Sequence, residues 1–221
     1  MLHDSLVTDS LPPHAGRPIV RLGAPLAAAR AVLIMIHGRG AAPNNILELV
    51  PAIDHPDVAY LAPAAAGGTW YPLSFMAPIE QNEPGITSGI SVIHSLVDAV
   101  LAAGIPADRV VLLGFSQGAC LACTAAHRRA DRYGGVVVFS GGLIGPPGSI
   151  WSENGGFRST PVFFGCSDID PHVPESRVRE TAAVFQRMGA DVTARIYPGM
   201  GHLVNDEEIV VARALLARLA S

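Results

Sequence analysis

The chain has 221 residues, of which 49% are hydrophobic and 15% charged, and its formal net charge is −4. That length and balance suit a single folded domain with a sizeable core and argue against disorder. The mildly acidic charge leaves no basic footprint for nucleic acid or an anionic membrane.

The opening stretch, MLHDSLVTDS, carries two aspartates and lacks the apolar core of a secretory leader. The longest aliphatic run, AVLIMI, is far too short to cross a bilayer. The chain therefore reads as one soluble, cytoplasmic domain over residues 1–221, with no membrane span. PIVRLG, near Ile19, predicts an early edge strand. Further strands are predicted at AVLIMI (Ala31–Ile36), VAYLAP (Val58–Ala62), VVLLGF (Val110–Phe115), GVVVFSG (Val136–Ser140), PVFFGC (Val162–Gly165) and VTARIYPG (Val192–Tyr197). Their apolarity is continuous rather than alternating, which marks strands covered on both faces, as in a parallel sheet.

Helical patterns fall between these runs. In TSGISVIHSLVDAVLAAG, residues Ile90, Ile93, Leu96, Val97, Val100 and Leu101 recur at helical spacing, and Gly104 sits where a C-terminal cap belongs. ESRVRETAAVFQRMG ends in glycine, and NDEEIVVARALLARLA opens with Asn205 and acidic residues suited to a helix N-terminus. Strand and helix in alternation predict a doubly wound α/β domain. The one long irregular segment, residues 64–85, is the kind that lines sites in such folds.

Ser116 follows a predicted central strand and opens a predicted helix, within Gly-Phe-Ser-Gln-Gly. A helix-capping serine is one reading. The other is a nucleophile elbow, in which glycines make room for a strained turn that presents the hydroxyl. A serine nucleophile needs a base held by an acid, in the chain order serine, acid, histidine. His202, in YPGMGHLVND, lies in a loop after the last strand, at the sheet edge where Ser116 emerges. His127 falls at the far end of the nucleophile helix, and His172 reads as a surface loop residue. The acid is Asp168 or Asp170, both in GCSDIDPHVP, the other being a turn-forming side chain. An oxyanion hole needs two N–H donors. Gln117 supplies one, and the backbone of Arg39, in the glycine loop MIHGRGAAPNN, the second. His37 precedes Ser116 and reads as a brace for that loop. Trp70 and Tyr71 wall the substrate pocket or pack in the core. Cys120 and Cys123 form a C-x-x-C, but their Ala- and Leu-rich surroundings favour buried packing over a redox pair or zinc half-site. Three cysteines make no disulfide framework.

With these pieces the sequence resembles the phospholipase/carboxylesterase family of α/β hydrolases, which includes acyl-protein thioesterases. The resemblance rests on HGRG, on GITSGISVIHSLVDAVLAAGIPADRVVLLGFSQG, on DPHVP and on YPGMGH. It implies an α/β-hydrolase fold with a mostly parallel sheet, helices on both faces and a minimal lid or none. It also implies serine-dependent hydrolysis of a small-molecule ester without a metal or organic cofactor, and is compatible with a homodimer. The family's Asp-Pro-x-Val-Pro pattern falls on Asp170. Departures are HGRGA for the more familiar HGLGD, which places Arg39 at the mouth, and Cys166-Ser167 for the usual His-Gly. A dienelactone-type lactone hydrolase is the alternative on this fold, although that type usually carries cysteine at the elbow. A non-catalytic binding protein would normally have lost a triad member. A metal hydrolase would need ligand spacings such as His-x-x-x-His, which do not occur.

Overall fold

Runs such as AVLIMI leave no polar face for water, so their strands need cover on both sides. A computed structural model, which describes residues 10–221, supplies that cover. The leader reading rests on residues that, apart from Ser10, lie outside the described ones. Seven strands form one sheet: β1 (Ile19–Gly23), β2 (Ala31–Ile36), β3 (Val58–Pro63), β4 (Val110–Phe115), β5 (Gly135–Phe139), β6 (Pro161–Ser167) and β7 (Asp191–Tyr197). Their spatial order is β1-β3-β2-β4-β5-β6-β7. β1 runs antiparallel to β3 at one edge, and all other neighbours are parallel. Among the described residues seven α-helices accompany them: α1 (Pro43–Leu47), α2 (Val50–Ile53), α3 (Ile79–Asn82), α4 (Gly85–Ala102), α5 (Gln117–Arg128), α6 (Glu175–Arg187) and α7 (Asp206–Ala220).

In the inner strands β2 to β6 the pleat sends alternate residues to opposite cores, whereas the edge strands β1 and β7 keep exposed residues, so the continuous burial expected of every strand does not extend to them. Val32, Ile34 and Ile36 of β2 join the apolar cluster built with α4, α5 and α6. Leu33 and Met35 join the one built with α1, α2 and α7. Each such aliphatic side chain contributes roughly 1.5–3 kcal/mol on burial. Although α4 is long and apolar enough to span a membrane, its apolar side, including Ile86, Ile90, Ile93, Leu96 and Val100, is buried in the first cluster. The chain leaves α4 through Gly104, at φ +90°, whose N–H bonds the Leu101 carbonyl. At the start of α7, Asn205 and Glu208 each accept the other's backbone N–H, a capping box.

A parallel sheet delivers the C-terminal ends of its strands to one edge, where α/β folds place their sites. Here the loops after β2, β4, β6 and β7 open on that edge, and they carry His37 to Arg39, Ser116, Asp168 to Asp170, and His202. No large lid interrupts this plan among the described residues.

Candidate active site

The turn from β4 into α5 is made at Ser116, which adopts φ +56° and ψ −122°. A side-chain-bearing residue in that region costs on the order of 1–3 kcal/mol and persists only where its surroundings enforce it. The surroundings here are close backbone contacts. A Cβ on Gly114 would sit 2.4 Å from the Gly118 carbonyl oxygen, and one on Gly118 would sit 2.2 Å from that of Ile36. The Ser116 N–H bonds the Phe139 carbonyl at 2.9 Å, which ties the turn to β5. The hydroxyl of Ser116 makes no capping bond to α5. Its Oγ instead lies 2.8 Å from His202 Nε2.

His202 Nδ1 is 2.7 Å from Asp170 Oδ2. An ionised carboxylate can only accept, so Nδ1 carries the proton and Nε2 is left to receive one from Ser116. The Asp170 side chain is fully buried. Burial alone would push its carboxyl up, but the bond from His202 and those from the N–H groups of His172 (2.8 Å) and Val173 (3.0 Å) outweigh it and hold the pKa below the ordinary value. Asp168 points elsewhere: its Oδ1 accepts the Gly199 N–H at 2.8 Å. Of the two candidate acids, Asp170 is the one in contact with the histidine.

The glycine loop after β2 faces the elbow. His37 is buried, and burial holds its pKa below the usual value. It accepts the Ala65 N–H on Nε2 (3.2 Å), so Nδ1 is the donor to the Gly38 carbonyl (2.8 Å). A neutral imidazole thus braces this loop against the segment after β3. The backbone N–H groups of Arg39 and Gln117 find no acceptor among the described residues. Gln117 is the first residue of α5, where such N–H groups carry the positive end of the helix dipole.

The aromatic pair divides. Tyr71 lines the cavity beside Ser116. Trp70 does not: it is fully buried, its indole N–H bonds the His37 carbonyl at 2.9 Å, and its ring packs against His14 and His37. The indole is consumed in holding two loops together, so of the two readings for these rings Trp70 takes core packing and only Tyr71 lies on the cavity wall. Gln117 does more than its backbone suggests. Its side chain accepts the Trp70 N–H (2.9 Å) and donates to the Tyr71 carbonyl (2.7 Å), so it anchors the wall segment to α5. Two further side chains hold that segment. The Arg39 guanidinium donates to the Pro72 carbonyl at 2.7 Å and to that of Leu73. Buried Asn82 accepts the Leu73 N–H and donates to the Ser74 carbonyl, both at 2.8 Å.

The resulting cavity has a volume of about 760 Å³. Ser116 and His202 share it with the apolar Tyr71, Leu73, Phe75, Phe115 and Val173, and with Arg39 and Asn45. His172, read from the sequence as a surface residue, also lines it and meets the His202 ring edge to face at 4.8 Å. Its place in DPHVP, two residues after the acid, was the available signal. Cys120 reaches the cavity wall from α5, whereas Cys123 does not. Both are buried; burial pushes the Cys120 thiol up to about 12 and raises that of Cys123, which keeps them protonated at neutral pH. The carboxylate, imidazole and hydroxyl in line, with two unengaged N–H groups nearby, can deprotonate a serine and receive a developing oxyanion.

The chain is similar to several known proteins. The acyl-protein thioesterase 1 of Debaryomyces hansenii is 27% identical over 217 residues, covering 88% of this chain and 94% of that protein. The acyl-protein thioesterase 1 of Gibberella zeae is 30% identical over 140 residues, 62% of this chain and 60% of its own length. The crystal structure of a phospholipase/carboxylesterase from Dyadobacter fermentans superposes with a TM-score of 0.88 at 37% identity, covering 95% of this chain and all of that one. A family model described as phospholipase/carboxylesterase matches residues 19–219. The chain accordingly belongs to the phospholipase/carboxylesterase family, a family of α/β-fold hydrolases.

Proposed function

We propose that the protein is a serine carboxylesterase in which Ser116, His202 and Asp170 act as nucleophile, base and orienting acid. The observation that carries this reading is the unbroken hydrogen-bonded line from Asp170 Oδ2 through His202 to Ser116 Oγ, with steps of 2.7 and 2.8 Å. Ser116 attacks the ester carbonyl while His202 Nε2 takes the hydroxyl proton, and Asp170 stabilises the imidazolium. The N–H groups of Arg39 and Gln117 receive the oxyanion; loss of one such donor typically costs about 10²–10³-fold in rate. The imidazolium then protonates the leaving alkoxide, and an acyl group remains on Ser116. Water, deprotonated by the same imidazole, attacks that acyl-enzyme and releases the acid. The same attack would serve thioesters and lysophospholipid esters, and the apolar wall at Tyr71, Leu73 and Phe75 suits an acyl chain.

A fluorophosphonate serine probe tests the reading directly. Wild-type protein should label covalently and thereby lose turnover of a short-chain aryl ester, and Ser116→Ala should neither label nor turn the ester over. Labelling that survives in the alanine variant, or none in the wild type, rejects Ser116 as the nucleophile. A series of acyl esters of increasing length then defines the preferred substrate.

A further inference from the structure

His202 rides on the loop between β7 and α7, where Gly199 and Gly201 both adopt positive φ (65° and 78°). No strand or helix fixes that loop, yet His202 must stay aligned with two partners from distant parts of the chain. A buried hydroxyl and a neighbouring carboxylate tie that loop to the acid turn. Ser167, the last residue of β6, is fully buried. A serine hydroxyl offers one donor and two acceptor positions, and all three are occupied here. Its Oγ accepts the Gly201 N–H at 3.0 Å and the Ile169 N–H at 3.2 Å, and donates to Asp168 Oδ1 at 3.4 Å. Asp168 Oδ1 in turn accepts the Gly199 N–H. Ile169 immediately precedes Asp170, and Gly201 immediately precedes His202.

We propose that Ser167 is a positioning residue that sets the spacing between the acid turn and the histidine loop, with Asp168 as its outer support. The proposal rests on the catalytic roles given above to Ser116, His202 and Asp170. On the other side the Asp170 carboxylate is already held by two backbone N–H groups, so the freedom left to remove is that of the histidine loop. Ser167 is sealed from solvent, and water has little access to take over its bonds. Asp168 is exposed, where water can substitute, so its share is smaller. A misplacement of about 1 Å can cost about 100-fold in rate without weakening substrate binding.

The test measures kcat and KM for a short-chain aryl ester, the rate of fluorophosphonate labelling, and thermal melting, on the full chain and its variants. Ser167→Ala should lower kcat and the labelling rate together by about 10- to 100-fold. KM should stay within about threefold, because the cavity wall is untouched. Ser167→Thr, which keeps the hydroxyl, should recover most of the loss, and Asp168→Ala should show the same split at smaller amplitude. Alanine retaining kcat within about threefold overturns the proposal, as does a folded threonine variant that falls as far as alanine. If threonine does not fold, the alanine and Asp168→Ala results decide, and no kcat loss in either overturns it. A wild-type protein that neither labels nor turns over would instead reject the role of Ser116.

Discussion

Glu208 is fully buried at the start of α7. Its Oε2 accepts the Asn205 N–H, whereas Oε1 has no hydrogen-bond partner among the described residues and faces Gly165, where a Cβ would lie only 2.0 Å from it. Burial pushes this carboxyl up from 4.5 to about 7. In the unfolded chain Glu208 ionises from about pH 4.5, but in the folded protein only from about pH 7. Between these values the folded state holds the extra proton, so rising pH favours unfolding by about 1.4 kcal/mol per unit, roughly 3 kcal/mol in all. Glu208→Gln keeps the acceptor for Asn205 and removes the charge. Urea denaturation of both proteins from pH 4 to 8.5 should give similar stabilities below pH 4.5. The curves should then separate through the window from 4.5 to 7, with the glutamine variant the more stable by about 3 kcal/mol above it. Curves that stay parallel across that window, or a wild type that gains on the variant as pH rises, would refute the reasoning.

Gly118→Ala forces a methyl group against the Ile36 and His37 carbonyls, which are backbone and cannot swing aside. It should cost about 1–3 kcal/mol in a thermal or urea melt, and shift the oxyanion loop enough to lower kcat by about 10²-fold or more. Asp170→Asn should lower kcat by about 10⁴-fold, since the amide offers no charge to hold the imidazolium. Asp168→Asn, which keeps an acceptor for Gly199, should stay within about threefold in the same ester assay. Arg39→Ala releases the Pro72 and Leu73 carbonyls from the cavity wall and should raise KM for longer acyl esters by roughly 3- to 10-fold. Because the guanidinium is turned onto that wall, carboxylated esters should suffer no selective loss when compared with neutral esters of equal length.

The inner strands were legible because a buried parallel strand must be apolar on both faces, and every strand, the partly exposed edges β1 and β7 included, lies within two residues of the run that predicts it. α1, α2 and α3 were not, since four or five residues cannot display a helical period and two of these helices carry proline in the first turn. Ser116 and His202 could be singled out because chain order restricts which loops share an edge. Order cannot separate Asp168 from Asp170, two residues apart in one turn. The choice depends on which carboxylate meets the imidazole and which meets the Gly199 N–H. Trp70 and Tyr71 are adjacent and chemically alike in pattern, yet the backbone turns one ring into the core and the other into the cavity. The side-chain roles of Gln117 and Asn82 had no sequence signal, because their partners are main-chain atoms of irregular loops.

The order of strands in the sheet also bears on how activity is acquired. Ser116 and His202 are 86 positions apart, and Asp170 and His202 are 32 apart. The nucleophile turn is assembled by β4 and β5, near the middle of the sheet, but the base arrives only on the loop that follows the edge strand β7. Contacts so distant in sequence form late, after the loop-closure entropy between them has been overcome. The part of the first cluster built by α4 and α5 can therefore be buried before the base docks, whereas the second cluster needs α7, which follows His202 in the chain. In refolding, recovered ester turnover becomes a clock for the docking of the last strand, and a fluorescence or circular dichroism signal from the central sheet should run ahead of it.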